Sequence, residues 1–270
     1  MLFDDLKENL AKYNFKEVNE KVKGIIITKE NYENLNEVVD ILRTDKRKNV
    51  LALAERLEKK IDGFKKELNR VRTMYEFDRA FVKNQILAGV DEVGRGPLAG
   101  PIVACAVILN LNDLDDIILE INDSKLLSES KREYLAEKIK EKAISYSIAY
   151  CTNEEIDQKG IAYCNNNIFI KSCDGLSIKP DLVLSDGYLI KNYDVANEYV
   201  VKGDRKSASI ACASIVAKVY RDNLMKEYAK KYPFYDFEKN MGYGTKAHIK
   251  GLEENGPCEI HRKSFLKNLI

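Results

Sequence analysis

The chain has 270 residues, 44 Lys+Arg against 43 Asp+Glu, and a formal net charge of +1, with 45% hydrophobic and 32% charged content. That length suits one large or two modest domains and buries a core without disulfides or metals; no apolar run approaches the roughly 20 residues of a membrane span, and the acidic, amphipathic start MLFDDLKENL is unlike a secretory or transit signal. The near-zero charge counts against nucleic-acid binding by bulk electrostatics, two histidines (His248 and His261) argue against a His-rich zinc site, and six cysteines without CxxC spacing read as reduced core thiols of a cytoplasmic protein.

Composition divides the chain near residue 84. Residues 1–84 hold no Cys, no Pro and only Gly24 and Gly63, so turn-forming residues are scarce and helix is expected throughout. One amphipathic helix is expected within 3–22 and another over 31–43. Val50, Ala54, Leu57, Ile61, Phe64, Leu68, Val71 and Tyr75 then recur at alternating spacings of four and three. This is the stripe of a long helix beginning near Asn49. Residues 1–84 read as a helical accessory module, either a spacer or a nucleic-acid contact through a basic face.

Residues 85–270 read as the second domain. Strands are expected at 86–90, 102–109, 143–151, 181–185 and 198–201, and helices at 128–142, 153–173, 206–231 and from 245. Strands that first pair and then alternate with helices point to one mixed α/β sheet of five strands, flanked by helices.

The acidic residues fall at strand ends. AGVDEVGRGPLAGP runs from an apolar strand into Asp91 and Glu92, then into a loop with Gly94, Gly96 and Gly100. Its GxGxxxG spacing leads into a strand-like segment, so the dinucleotide fingerprint does not apply. Asp186 ends DLVLSD. Asp204 follows EYVVKG and precedes a long helix, whose N-cap it could also supply. Four carboxylates in one place repel unless cations neutralise them. Oxygen ligands without His or Cys select Mg²⁺ or Mn²⁺, and such clusters suit two-metal phosphoryl chemistry. Neighbouring strand residues point to opposite faces, so Asp91 and Glu92 can share a site only at a strand end, bulge or strong twist.

These motifs, with INDSKLLSESKR, VVKGDRKSASIACASIVAKVYRD and GYGTKAHIKGLEENGPCEIHRKSF in that order, resemble bacterial ribonuclease HII over 85–265. The helical segment resembles the extension found on some members of that family. The resemblance implies a ribonuclease H-like fold. It implies a metal-dependent endonuclease that hydrolyses the RNA strand of RNA–DNA hybrids and incises 5′ of ribonucleotides embedded in duplex DNA. The products would carry 5′-phosphate and 3′-hydroxyl ends. It implies two Mg²⁺ or Mn²⁺ ions held by Asp91, Glu92, Asp186 and Asp204, and a monomer with no membrane association. Gly94, Arg95 and Gly96 match the loop that reads the ribose 2′-OH, and Tyr243 matches the tyrosine that stacks on the junction sugar.

Lys125, in the Asp123-Ser124-Lys125 turn, reads as a phosphate contact or a solvated lysine. Arg262 and Lys263 read as further phosphate contacts. His248 reads as a helix-face or packing residue, His261 as hydrogen-bonded within the fold or in contact with a phosphate, and Asp222 as a partner of Arg221 or Lys226. A junction resolvase, a non-catalytic nucleic-acid-binding module and a metal-dependent phosphatase are the competing readings.

Overall fold

A computed structural model describes residues 2–83 and 85–267. The chain forms two compact units, one ending at Arg70 and the other beginning at Val71.

The first unit is helical. Its helices are α1 (Leu2–Asn9), α2 (Phe15–Lys23), α3 (Leu35–Arg43) and the N-terminal part of α4 (Lys48–Phe81). The single helix expected within 3–22 is two. Asn14 accepts from the Glu17 N–H while the Glu17 carboxylate accepts from the Asn14 N–H, and this reciprocal cap starts α2 afresh. Leu6, Val18, Val38, Leu42, Val50, Ala54 and Ile61 meet in its core. Arg47 ties the α1–α2 connection to the start of α4, donating to the carbonyls of Leu10 and Tyr13.

The second unit takes the end of α4 and then β1 (Leu87–Val93), β2 (Ile102–Ile108), α5 (Glu129–Lys142), β3 (Ser145–Cys151), α6 (Asn153–Lys159), α7 (Ile161–Asp174), β4 (Leu182–Asp186), β5 (Ala196–Val200), α8 (Ala208–Lys231), α9 (Phe237–Asn240), α10 (Lys246–Asn255) and α11 (Lys263–Leu266). The helix expected at 153–173 is broken at Gly160, whose φ of +82° lies where residues with a Cβ are strained.

The sheet order is β3-β2-β1-β4-β5. β1 pairs antiparallel with β2, and β2 with β3. β1, β4 and β5 run parallel. α7 covers one face through Cys164, Ile168 and Phe169, which meet Ala88, Val90, Ala104 and Ala106. α8 packs on β1 and β2. Its N-terminal part, residues 208–217, is buried on every side, as a helix passing through a core must be, and the charged residues follow from Lys218 onward.

The last turns of α4 belong to this unit. Tyr75 and Asp78 are buried there, and the Tyr75 hydroxyl accepts from the Ile118 N–H at 3.1 Å.

Candidate active site

The three parallel strands β1, β4 and β5 end on the same side of the sheet. The crevice beyond such ends is where open α/β sheets place ligands. β1–β4 pairing stops at Val90↔Ser185, while β1 continues against β2 to Val93. Beyond Val90 the strand therefore keeps one neighbour and opens on its other side. The strand expected over 86–90 thus runs on through Asp91 and Glu92 to Val93. The sheet narrows beyond Val90, and the two adjacent carboxylates straddle it. Asp91 is buried, and Glu92 reaches an open cleft of about 420 Å³ lined also by Asp186, Tyr188, Asp204, Asp123 and Arg205.

Asp186 is fixed by the Gly203 N–H, which donates to its Oδ1 at 2.7 Å. Asp204 is not the cap of α8. It sits in a 3₁₀ turn over Gly203–Arg205, and Ser207 caps the helix by accepting from the Ile210 N–H at 3.1 Å. The carboxylate of Asp204 is thereby left to face the cleft.

The electrostatics are those of a crowded acidic site. Burial, followed by the charge of Glu92, pushes Asp91 well above the ordinary carboxylate range; the Ser214 hydroxyl opposes this. Burial raises Glu92 to about 7, with Asp186 adding to the shift and Arg95 and Lys125 opposing it. Burial and then Asp186 raise Asp204, again against Arg205 and Lys125. Glu92 Oε2 is buried without a hydrogen-bond partner. Among the described residues, no three His, Cys, Asp or Glu groups are drawn close enough to hold a metal ion as they stand. The donors are all carboxylate oxygens, however, and their charges reach one another. An orphaned buried oxygen and mutually raised pKa values fit a hard divalent cation.

The glycine loop after β1 is built from below by two buried arginines. Arg262 donates to the carbonyls of Gly94 (2.6 Å), Arg95 (3.0 Å) and Gly100 (2.9 Å). Arg221 donates to those of Pro101 (2.9 Å), Ala99 (3.1 Å) and Met241 (2.9 Å). Both are fully buried, and burial lowers them to about 10 for Arg221 and about 9 for Arg262. Arg262 therefore does not meet phosphate, contrary to the sequence expectation; all its charge is spent on backbone. Gly94 has φ +91°, and a Cβ there would fall 2.2 Å from Arg221 Nε, so only glycine serves.

In a trans peptide the C=O and N–H point in opposite directions. With the Gly94 and Arg95 carbonyls held inward, the N–H groups of Arg95 and Gly96 face outward, and neither has an acceptor among the described residues.

The Arg95 guanidinium stacks over Tyr188, 4.5 Å from the ring centroid. A methyl built on Gly96 would lie 3.7 Å from Tyr243 Cε1, so loop and tyrosine are neighbours; Tyr243 is 43% exposed. Lys125 is exposed beside the cleft. Its turn is held by Asp123, which accepts from the Lys125 N–H, and by Arg132, which donates to the Ser124 and Leu127 carbonyls. Asp222 pairs with Lys218 at 2.7 Å and Arg132 at 3.6 Å, not with Arg221 or Lys226, because α5 brings Arg132 across.

A model of the ribonuclease HII family matches residues 88–268, and one of the ribonuclease HII N-terminal domain matches 16–82. Ribonuclease HII of Clostridium perfringens is 64% identical over 269 residues, covering 100% of this chain and 99% of the relative.

The chain belongs to the ribonuclease HII family.

Ribonuclease HII of Clostridium beijerinckii is 59% identical over 266 residues, covering 97% of this chain and 98% of the relative. Ribonuclease H2 of Pyrococcus horikoshii superposes with a TM-score of 0.59 at 26% identity, over 68% of this chain and 96% of that one. The fold is thus that of the ribonucleases H, preceded by a helical region, and the protein is a ribonuclease H that acts on RNA–DNA substrates. Among its described residues no helix is long and apolar enough to cross a membrane.

For a ribonuclease HII, the sequence reading overlooked Tyr188 and Asp78, and it gave Arg221 and Arg262 roles other than holding the loop. Tyr188 follows the Asp186-Gly187 strand end, which is the signal that could have marked it. Asp78, fully buried, accepts from the Ser209 N–H at 2.8 Å in the first turn of α8, while its Oδ1 is buried and unpartnered. Nothing in a charged helix sequence distinguishes it from its solvated neighbours.

Proposed function

We propose that the protein hydrolyses the RNA strand of RNA–DNA hybrids and incises 5′ of ribonucleotides embedded in duplex DNA, by two-metal-ion catalysis, leaving 5′-phosphate and 3′-hydroxyl ends. The observation that carries this reading is the joining of two features on one side of the sheet. One is a cleft into which the carboxylates of Glu92, Asp186 and Asp204 converge, and the other is a glycine loop whose outward N–H groups adjoin an exposed tyrosine ring.

Asp91, Glu92, Asp186 and Asp204 would hold two Mg²⁺ or Mn²⁺ ions. When bound, such ions offset the mutual repulsion of the carboxylates, lower the pKa of water and stabilise the leaving oxygen. The chain's own groups do the positioning. The N–H groups of Arg95 and Gly96 would meet the ribose 2′-OH, the group that distinguishes RNA from DNA. They are rigid donors because their peptide planes are fixed from behind by Arg262. The Tyr243 ring offers a flat face to the adjoining sugar. Arg95, held flat on Tyr188, and Lys125 lie where phosphate charge would enter the cleft.

Residues 85–270 would carry this chemistry as a catalytic domain, with 1–84 as its accessory module, and the protein would act as a cytoplasmic monomer. Replacing Asp204 by Asn tests the carboxylate set. The expected result is a fall in cleavage of about 100-fold or more with hybrid Kd nearly unchanged. Near-normal metal-dependent cleavage by that variant would remove Asp204 from the site.

A further inference from the structure

Next to the Tyr243 turn lies a buried polar chain that the proposed chemistry leaves unused. His248 and His261 are 0% and 1% exposed, and their Nε2 atoms are 2.9 Å apart. His248 Nδ1 is 2.9 Å from the Tyr243 carbonyl oxygen. At the other end the Cys258 N–H donates to His261 Nδ1, also at 2.9 Å. The edges and faces of Tyr235 and Phe237 wall the pair, with Tyr235–His261 centroids 4.8 Å apart and Phe237–His248 centroids 5.1 Å apart.

The two ends fix every proton. A carbonyl only accepts, so His248 must carry its proton on Nδ1. A backbone N–H only donates, so His261 Nδ1 must be bare and its proton must sit on Nε2. The short contact between the rings is then His261 Nε2–H donating to the His248 Nε2 lone pair. A further proton on either ring would set two donors face to face. The lowered pKa values agree. Burial lowers His248, and burial with the nearby His248 takes His261 to about 4.

The chain joins two parts of the site. Residue 261 forms an isolated bridge with Ala99 of the glycine loop, and Arg262, next in sequence, holds the Gly94 and Arg95 carbonyls. His248 meets the same Tyr243 carbonyl that the Thr245 N–H also meets, at 2.8 Å, at the start of α10. One short segment therefore sets the glycine loop with a guanidinium and the tyrosine turn with a pair of imidazoles.

We propose that the His248–His261 pair is a positioning device for ribose recognition, holding the Tyr243 backbone in register with the Gly94–Gly96 loop. This rests on the reading of Tyr243 and that loop as the groups that face the substrate. Neither histidine touches substrate, and the pair acts through the carbonyl of Tyr243.

Two measurements on the full chain test it. The first is the ¹⁵N NMR shifts of the imidazole nitrogens at neutral pH. They should show His248 protonated on Nδ1 and His261 on Nε2. The reverse tautomers, or a charged ring, would overturn the relay whatever Tyr243 does.

The second is a double-mutant cycle on duplex DNA containing one ribonucleotide. His261→Phe keeps the bulk and removes the ring's polar contacts with His248 and with the N–H and thiol of Cys258; kcat/KM is expected to fall about tenfold, through misplacement of a contact group. His261→Gln, whose amide can again donate toward His248, should recover activity to within about threefold. In a Tyr243→Ala background His261→Phe should cost less than about twofold, because the residue it positions is gone. A full, additive loss in that background would mark the pair as merely structural and overturn the proposal. If His261→Phe does not fold, His261→Asn, which retains an acceptor for Cys258 but is too short for His248, provides the same comparison. Full activity of Tyr243→Ala itself would overturn the reading of Tyr243, and with it the purpose assigned to the relay, while leaving the tautomers as stated. A harmful Tyr243→Ala with additive loss overturns the relay alone.

Discussion

At the scale of single residues, the site depends on charges whose partners are not opposite charges. Arg262 makes three hydrogen bonds, all to carbonyls of the loop. A guanidinium is suited to this because it presents several donors in a fixed fork, which an ammonium cannot copy. Arg262→Lys is therefore expected to lower kcat/KM about tenfold or more through loop displacement, while leaving the salt dependence of substrate binding unchanged. A drop of about one charge in the slope of log K against log salt would show instead that Arg262 neutralises a phosphate. Sequence reasoning assigned Arg262 to phosphate because most arginines in a basic stretch are solvated. Burial reverses that, and burial of a single arginine leaves no trace in composition.

Asp78 poses the same difficulty with the opposite charge. Its pKa is raised by burial from 3.8 to about 6, against the groups of Ser207 and Ser209 around it. A carboxyl whose folded pKa lies above its unfolded one favours the fold fully below about 4, and that contribution is lost as pH rises through about 6. The span corresponds to roughly 3 kcal/mol at 1.36 kcal/mol per unit. Asn keeps the acceptor for the Ser209 N–H and cannot ionise. In unfolding measured from pH 4 to 8, Asp78→Asn should gain stability relative to the parent as pH rises through about 6. A difference that stays constant over that range would contradict a carboxyl held in this environment.

At the scale of elements, the strands were legible because buried strands are continuous apolar runs, and β1, β2 and β4 are such runs. The carboxylates were legible as a group because each lies at, or within a few residues past, the end of an apolar run. Which way each points was not. Whether Asp204 caps a helix or faces a cleft turns on Ser207, three residues on, taking the cap. The long stripe in α4 was also readable, but the boundary it crosses was not. The stripe continues unbroken through Val71 and Tyr75, while the compact units part at Arg70. The periodicity of a helix says which face is buried and not what buries it.

A test at this scale follows from the buried groups beyond the boundary. A chain of residues 71–270 retains Tyr75, with its hydrogen bond to Ile118, and Asp78, with its bond to Ser209. A chain of residues 85–270 loses both, along with the burial of Val71 and Met74. Large apolar side chains contribute about 1.5–3 kcal/mol each when buried. The shorter chain should therefore unfold at least about 10 °C lower than the 71–270 chain, by a loss of a few kcal/mol. Equal melting temperatures would mean that the end of α4 adds nothing to the catalytic unit.

At the scale of the whole molecule, the net charge of +1 is a sum of regions with unlike roles. It divides into +3 over 1–84, −8 over 85–200 and +6 over 201–270. The negative middle contains Asp91, Glu92 and Asp186, and the positive end contains Tyr243, Lys263 and the arginines that hold the loop. Those two arginines, Arg221 and Arg262, are buried, so even the basic stretch presents less charge to a duplex than its count suggests. Such a protein gains little from bulk attraction to phosphate, which accords with the proposed local recognition of the sugar.

The most direct test is cleavage of a DNA duplex containing one ribonucleotide, with Mg²⁺ or Mn²⁺ supplied, beside the same duplex made wholly of deoxynucleotides. The expected result is a single incision on the 5′ side of the ribonucleotide, with 3′-hydroxyl and 5′-phosphate ends and no cut in the all-DNA control. Equal cutting of both duplexes, or no incision at the ribonucleotide by metal-loaded protein, would contradict it.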